Sequence, residues 1–263
     1  MTAKKGIDLL RQNFIFYLTG ILMILGLKCY YRQADCDSLL WILAPTTWWV
    51  QLLSKIPFTY ISGTGYVNHS LRLLIAPSCS GVRFMTIVFA TLVFSFIHII
   101  ASSQKSPASE SPKSPHPKVR GFCWIAASVL LSWLFTVVVN GLRIITAIYL
   151  PLYLEDAELM KGMLTQDRLH TMIGVVIYFI ALLTIYRLIG RFVQKKPLCK
   201  CASPVFWYFM LTLGLPFLHR TGNGTADFAE FAVLVTGCCT LILLPYIVVI
   251  FCQKHGLRTS RKR

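Results

Sequence analysis

Three short stretches of this chain combine residues able to do chemistry. The first is Ala76-Pro77-Ser78-Cys79-Ser80-Gly81. Pro77 and Gly81 bracket a turn, and Ser80 is predicted to N-cap the helix that follows. That puts the Cys79 thiol at a helix N-terminus with Arg83 one turn on, and both features favour the nucleophilic thiolate. Taken alone, the stretch also fits an ordinary turn with an inert cysteine. The second is Asn140-Gly141-Leu142-Arg143, deep in an apolar run from Phe122 to Leu154. Asn140 and Arg143 are three apart and share a helix face. An arginine inside such a run faces a bundle interior and carries a task, or it snorkels to the surface. The third is His170, with Gly174 one turn on. Its imidazole suits general acid–base work if a nucleophile is close, and otherwise it is a structural group at a helix end.

The elements that must position these residues are apolar helices. Of 263 residues, 56% are hydrophobic and only 14% are charged. A soluble domain carries about 25% charged residues. The deficit is what a lipid-solvated chain requires, and several apolar runs reach the ~20 residues that cross a bilayer. The net charge of +16 is explained by basic tracts beside apolar spans, so no nucleic-acid partner is invoked. The first apolar run lacks a small-residue cleavage site behind it, since Lys28-Cys29-Tyr30-Tyr31-Arg32 follows, and it reads as an anchor.

The expected fold is an all-α polytopic membrane bundle of about six transmembrane helices, at about 13–31, 83–101, 121–150, 170–190, 204–219 and 228–252. The stretch Leu39 to Leu53, with Pro45, Trp48 and Trp49, reads as a helix on the outer interface, with a tight pair of extra spans as the competing reading. No strand-like alternation is long enough to matter. Ser102 to Lys118 is Ser/Pro-rich and reads as a flexible linker. Residues 1–190 are expected to form the core, and 191–263 an extension with two further spans and a basic tail.

Nine cysteines at irregular spacing form no disulfide framework. Cys29 and Cys36 leave an external disulfide open, and Cys199-Lys200-Cys201 lacks the partners of a zinc site. No metal and no organic cofactor is expected.

Charge sets the orientation. Lys4, Lys5 and Arg11; Lys105, Lys113, Lys118 and Arg120; Arg187, Arg191, Lys195, Lys196 and Lys200; and Lys254, Arg258, Arg261, Lys262 and Arg263 fall on one side of six spans. Glu155, Asp156, Glu158 and Asp167 fall on the other. The positive-inside rule puts both termini in the cytoplasm. Cys79 and His170 then start spans from outside. Arg143 lies about 22 residues beyond Gly121, roughly 33 Å along its helix, near the same surface. All three meet at one depth, as a nucleophile and its base must.

The ordered set of Cys79 in PSCSG, Arg143 in NGLRI and His170 in HTMIG resembles the exosortase/archaeosortase family of membrane transpeptidases. The resemblance covers about residues 10 to 190. Trp41-Ile42-Leu43-Ala44-Pro45-Thr46 and Gly65-Tyr66 look like the K-type exosortase subgroup. It implies an enzyme of a prokaryotic cytoplasmic membrane with an outward-facing site. Its substrates would be exported proteins ending in a short motif, an apolar helix and a basic tail. Cys79 would be the nucleophile, His170 its base and later acid, and Arg143 the oxyanion stabiliser, with Ser80, Gly81, Arg83 and Asn140 in support. Two rival readings need no catalysis: a transporter or channel with Arg143 lining a pathway, and a membrane scaffold.

Overall fold

The computed structural model describes residues 11–102, 117–154, 165–194, 202–218 and 225–260. The middle of the Ser/Pro linker, Glu155, Asp156, Glu158, the Cys199–Cys201 stretch, Lys4, Lys5, Lys105, Lys113, Lys195, Lys196 and the last three residues lie outside them. The chain forms α1 (Phe14–Gln33), α2 (Leu40–Ser54), a small sheet of β1 (Thr59–Ile61), β2 (Gly65–Asn68) and β3 (Leu73–Ile75), then α3 (Val82–Ser102), α4 (Pro117–Leu154) and α5 (Gln166–Gln194). α6 (Ala202–Phe209) runs through a π turn at Met210–Gly214 into α7 (Leu215–Leu218), and α8 (Thr225–Ser260) follows.

Segments of α1, α3, α4, α5 and α8 are long and apolar enough to cross a bilayer, which makes the fold the expected all-α polytopic bundle. The sixth expected span is the shorter apolar segment Ala202–Leu218. At 1.5 Å per residue it reaches about 25 Å, a few ångströms less than a ~30 Å hydrocarbon core. It nevertheless covers much of the bundle's depth. Ser203 Oγ lies 2.6 Å from Ser95 Oγ, toward the C-terminal end of α3. Glu230, early in α8, pairs at 2.5 Å with Arg168 in the first turn of α5, at the other end.

α3 is the central helix, with 67% of its apolar window buried against 17% for α1 and α8. Its Phe84, Val88, Leu92 and Phe96 recur every four residues and are almost wholly buried, which is one face of a helix. They pack with Phe179 and Leu182 of α5 and Val235 and Cys239 of α8 in one apolar cluster. Helix α4 inserts a different stripe. Ser128, Ser132, Thr136 and Asn140 are buried at four-residue intervals, followed by Arg143. Small polar residues in such a row allow close helix approach in a membrane.

The segment between α1 and α3 caps one end of the bundle. The expectation of an interfacial helix with no strands of consequence is amended here. α2 is a single helix, so the paired-span alternative fails. It buries Ile42, Leu43, Thr46, Thr47 and Val50 and packs on α4. Trp133 donates its indole N–H to the Trp41 carbonyl (3.3 Å). Gly141 admits Trp49, because a Cβ there would lie 2.4 Å from the indole ring. The antiparallel sheet, in order β1-β2-β3, has strands of three or four residues, too short to print an alternation in sequence. Asp37 ties it down, accepting from the Tyr60 hydroxyl, the Ser62 hydroxyl (2.7 Å) and the Gly63 backbone N–H (2.9 Å).

Candidate active site

Cys79 ends a 3-10 turn, Pro77–Cys79, directly before α3. The turn is closed by Cys79 N–H donating to Ala76 O (2.8 Å) and Ser80 N–H to Pro77 O (3.1 Å). Ser80 therefore takes a helical conformation, φ −67° and ψ −23°, and the first bond of α3 is Met85 N–H to Gly81 O (3.0 Å). The cap position falls on Gly81, not on Ser80 as the sequence suggested. The Ser80 hydroxyl is buried without a hydrogen-bond partner among the described residues. Gly81 is required twice over. Its φ of +75° belongs to the left-handed region, and a Cβ would meet Asn140 Cγ at 2.9 Å and Thr136 Cγ2 at 3.0 Å.

Two helices clasp this turn from outside it. Asn140 of α4 donates its amide to the Cys79 carbonyl at 2.6 Å. The Asn140 carbonyl oxygen in turn accepts from the Tyr178 hydroxyl of α5 at 2.6 Å. Tyr31 of α1 donates to the Pro77 carbonyl at 3.3 Å. The chain Tyr178–Asn140–Cys79 fixes the backbone at Cys79 and leaves its thiol unengaged. Cys79 is half-buried, and its sulfur makes no hydrogen bond among the described residues.

Arg143 lies one turn beyond Asn140 on the same face of α4 and is 8% exposed. Its Nη2 lies 2.5 Å from Nε2 of His170, and its guanidinium sits 6.0 Å above the centre of the Tyr178 ring. Guanidinium nitrogens only donate, so Nε2 of His170 accepts, and the imidazole is neutral with its proton on Nδ1. Arg143 Nε is buried with no hydrogen-bond partner among the described residues. Beside it stands Gly174, where a Cβ would be 3.5 Å from Nε. A buried guanidinium whose Nε–H has no partner among the described residues, facing a neutral imidazole, is an anion-seeking group.

The sequence-selected residues are thus distributed plainly. Cys79, Gly81 and Asn140 make one contact unit, and Arg143 and His170 make another. Tyr178 links the two, through its hydroxyl to Asn140 and its ring to Arg143. His170 stands in the second turn of α5, not at its start, because the helix begins at Gln166. It is exposed, and no hydrogen bond joins it to Cys79. Arg83 is exposed as well and makes no hydrogen bond or ion pair with Cys79 among the described residues. Its expected help to the thiolate finds no contact to act through.

Tyr178, Tyr31 and Thr136 are the site residues that sequence reasoning missed. Thr136 had a signal, since Thr136, Asn140 and Arg143 follow the 4,3 spacing of one helix face inside an apolar run. Tyr178, eight residues after His170, had only the same spacing argument on α5. Tyr31 had none, because it reaches the turn across 46 residues of chain.

Among the described residues, no three His, Cys, Asp or Glu side chains are grouped to hold a metal ion. Cys29 and Cys36 are both free thiols. Set beside known protein families, curated proteins and solved structures, the chain matches none of them.

Proposed function

We propose that this chain is a membrane-embedded cysteine transpeptidase or protease that removes the C-terminal tail of exported proteins. The observation that carries the reading is a single one. A half-buried thiol is held by its own backbone to Asn140, and Asn140 is joined through Tyr178 to a buried arginine that has a spare N–H and a histidine at hand.

The chemistry follows from what each group can do. The Cys79 thiolate adds to the scissile carbonyl, and its oxygen becomes an oxyanion. Arg143 is the donor for that oxyanion, since a fixed charge in a water-poor site stabilises developing charge strongly. Before that addition, the substrate carbonyl arriving at Arg143 competes for the N–H that now binds His170, and the freed Nε2 lone pair takes the thiol proton as the sulfur attacks. The imidazolium then gives that proton to the nitrogen of the leaving amine as the C–N bond breaks. The tail departs as that amine, and the product stays on Cys79 as a thioester. Water or a second amine attacks the thioester and restores the thiol, so one hard step becomes two easier ones.

The proposed setting is the cytoplasmic membrane of a prokaryote, with both termini inside and the capped end outside. The support is the sidedness of the basic tracts, together with a depth for Ala202–Leu218 that lets it serve as a sixth pass. The partners are membrane lipid and exported proteins ending in a motif, an apolar helix and a basic end.

The test uses an exported reporter bearing such a tail. Shedding by the wild-type chain, abolished by Cys79→Ser and accompanied by a thioester-linked reporter that hydroxylamine releases, is expected. Shedding unchanged in Cys79→Ser overturns the reading. Liposome flux that needs Arg143 and ignores Cys79 would establish transport instead.

A further inference from the structure

The cap holds an open sheet edge that leads directly into the Cys79 turn. Among the described residues β3 pairs only with β2, in the register Tyr66↔Ile75, Val67↔Leu74 and Asn68↔Leu73. The three-residue turn between β1 and β2, closed by Thr64 N–H to Ile61 O at 3.1 Å, makes Ile61 and Gly65 the hydrogen-bonded pair at its mouth. Antiparallel ladders alternate. Gly65 and Val67 therefore turn their backbone groups to β1, and Tyr66 and Asn68 turn theirs to β3. Leu73 and Ile75 answer β2, in keeping with the 2.5 Å that would separate the Ile75 carbonyl from a Cβ at Gly65. The N–H and C=O of Leu74 point the other way, away from the sheet. Among the described residues nothing bonds to either of them, and Leu74 is 49% exposed.

Natural edges are blunted by brevity, charge, proline or a covering element; β3 is brief, with three residues, and among the described residues no element pairs with its outer side. This one is flanked by exposed Leu71 and by Arg72 in the left-handed region at φ 53°. Such conformations are rare outside glycine and gather at ligand clamps. Downstream, Cys79 follows Leu74 by five positions, and α3 then enters the bundle.

We infer that the free edge of β3 is the recognition strand for the substrate, taking an extended peptide as a fourth strand parallel to β3. The inference rests on the transpeptidase reading above. The direction is fixed by the chain itself. Residues 73–102 run from an extended strand, through a turn at Cys79, into an apolar helix, and a substrate tail has the same layout of extended motif followed by apolar helix. Laid parallel to β3, the motif delivers the bond at its C-terminal side to Cys79, and the tail helix descends beside α3. Laid antiparallel, the tail helix would be carried away from the bundle. Backbone pairing supplies affinity in this mode, and alternate side chains supply selection.

The probe is a panel of exported reporters, each with a randomised six-residue segment, an apolar helix and a basic end, selected for Cys79-dependent shedding. Leu74→Pro deletes the outward N–H and no bond to β2, and edge positions tolerate proline. It should cut shedding at least tenfold at low reporter level, with Cys79 still labelled by a thiol reagent as in wild type. In a second arm, which stands even if Leu74→Pro folds poorly, Leu74→Cys is combined with Cys79→Ser and cysteines are scanned along the reporter segment. Disulfide yield should alternate with a period of two. Full shedding by a folded Leu74→Pro chain, or a flat or helical-period scan, overturns the edge while leaving the transpeptidase reading intact. A panel in which no reporter is shed overturns both.

Discussion

Two polar clusters stand at the same end of this molecule and are built on opposite terms. The Asp37 knot is satisfied. Its carboxylate accepts from Tyr60, Ser62 and Gly63, all within the exposed cap. The cluster around Cys79 is not. Ser80 Oγ, Thr136 Oγ1 and Arg143 Nε are buried without partners among the described residues, although buried polar groups in folded proteins are almost always paired. The first arrangement holds a shape. The second leaves polar groups unpaired beside a free thiol, at a cost to stability, and on the transpeptidase reading the substrate would complete them.

The comparison is broken most severely at Arg143. Replacing it with lysine keeps the charge but loses the planar fork that now serves His170 with one nitrogen and keeps another spare. Shedding of the selected reporter should fall about a hundredfold, by analogy with removing an oxyanion donor, while the protein still inserts and Cys79 still labels. Activity near wild type would mean that the spare N–H is not used.

Gly81→Ala tests whether the second cluster depends on tight packing. The left-handed φ and the 2.9 Å approach to Asn140 oppose any Cβ. The chain should lose about 1–3 kcal/mol, read as a lower unfolding temperature in detergent, and the Asn140 amide should leave the Cys79 carbonyl. Gly174→Ala is the matched control. Its Cβ would stand at an ordinary 3.5 Å from Arg143 Nε, so stability should hardly change.

The smallest effect belongs to the knot. The Gly63 N–H first, then the Tyr60 and Ser62 hydroxyls, hold the Asp37 carboxyl below its usual range. The same bond to Asp37 pushes the Tyr60 hydroxyl up to about 12. A depressed carboxyl stabilises the fold above its unfolded value, about 3.9, and that contribution is lost as pH falls through the lower folded value. The raised tyrosine acts in reverse, with its contribution complete below about 10 and lost as pH rises toward 12. Amide protection of residues 59–63 should therefore be flat from about pH 5 to 9 and fall beyond both limits. Asp37→Asn should remove the acid limb. An unchanged acid limb would show that the knot does not hold the cap.

The architecture was legible in sequence because lipid imposes it. Apolar runs of span length and a Pro/Gly-bracketed turn before one of them are properties of neighbouring residues. The small sheet was illegible, since strands of three or four residues leave no periodic trace. Ser80 misled as a cap because a one-residue shift, set by the 3-10 turn and a left-handed Gly81, moves the helix start. Arg83 stands exposed without a contact to Cys79, and sequence spacing could not say whether its side chain turns toward the thiol or toward the surroundings.

By itself, then, the sequence determined that the chain is a membrane bundle and which polar residues its apolar spans must accommodate. Hydropathy is local, and each span satisfies its own backbone hydrogen bonds. Only the tertiary structure decided that Cys79 answers to Asn140 and Tyr178, that Arg143 holds His170 with an N–H to spare, and that Leu74 leaves an open edge beside them. Those contacts join residues tens of positions apart, and they exist only once α3, α4 and α5 have packed.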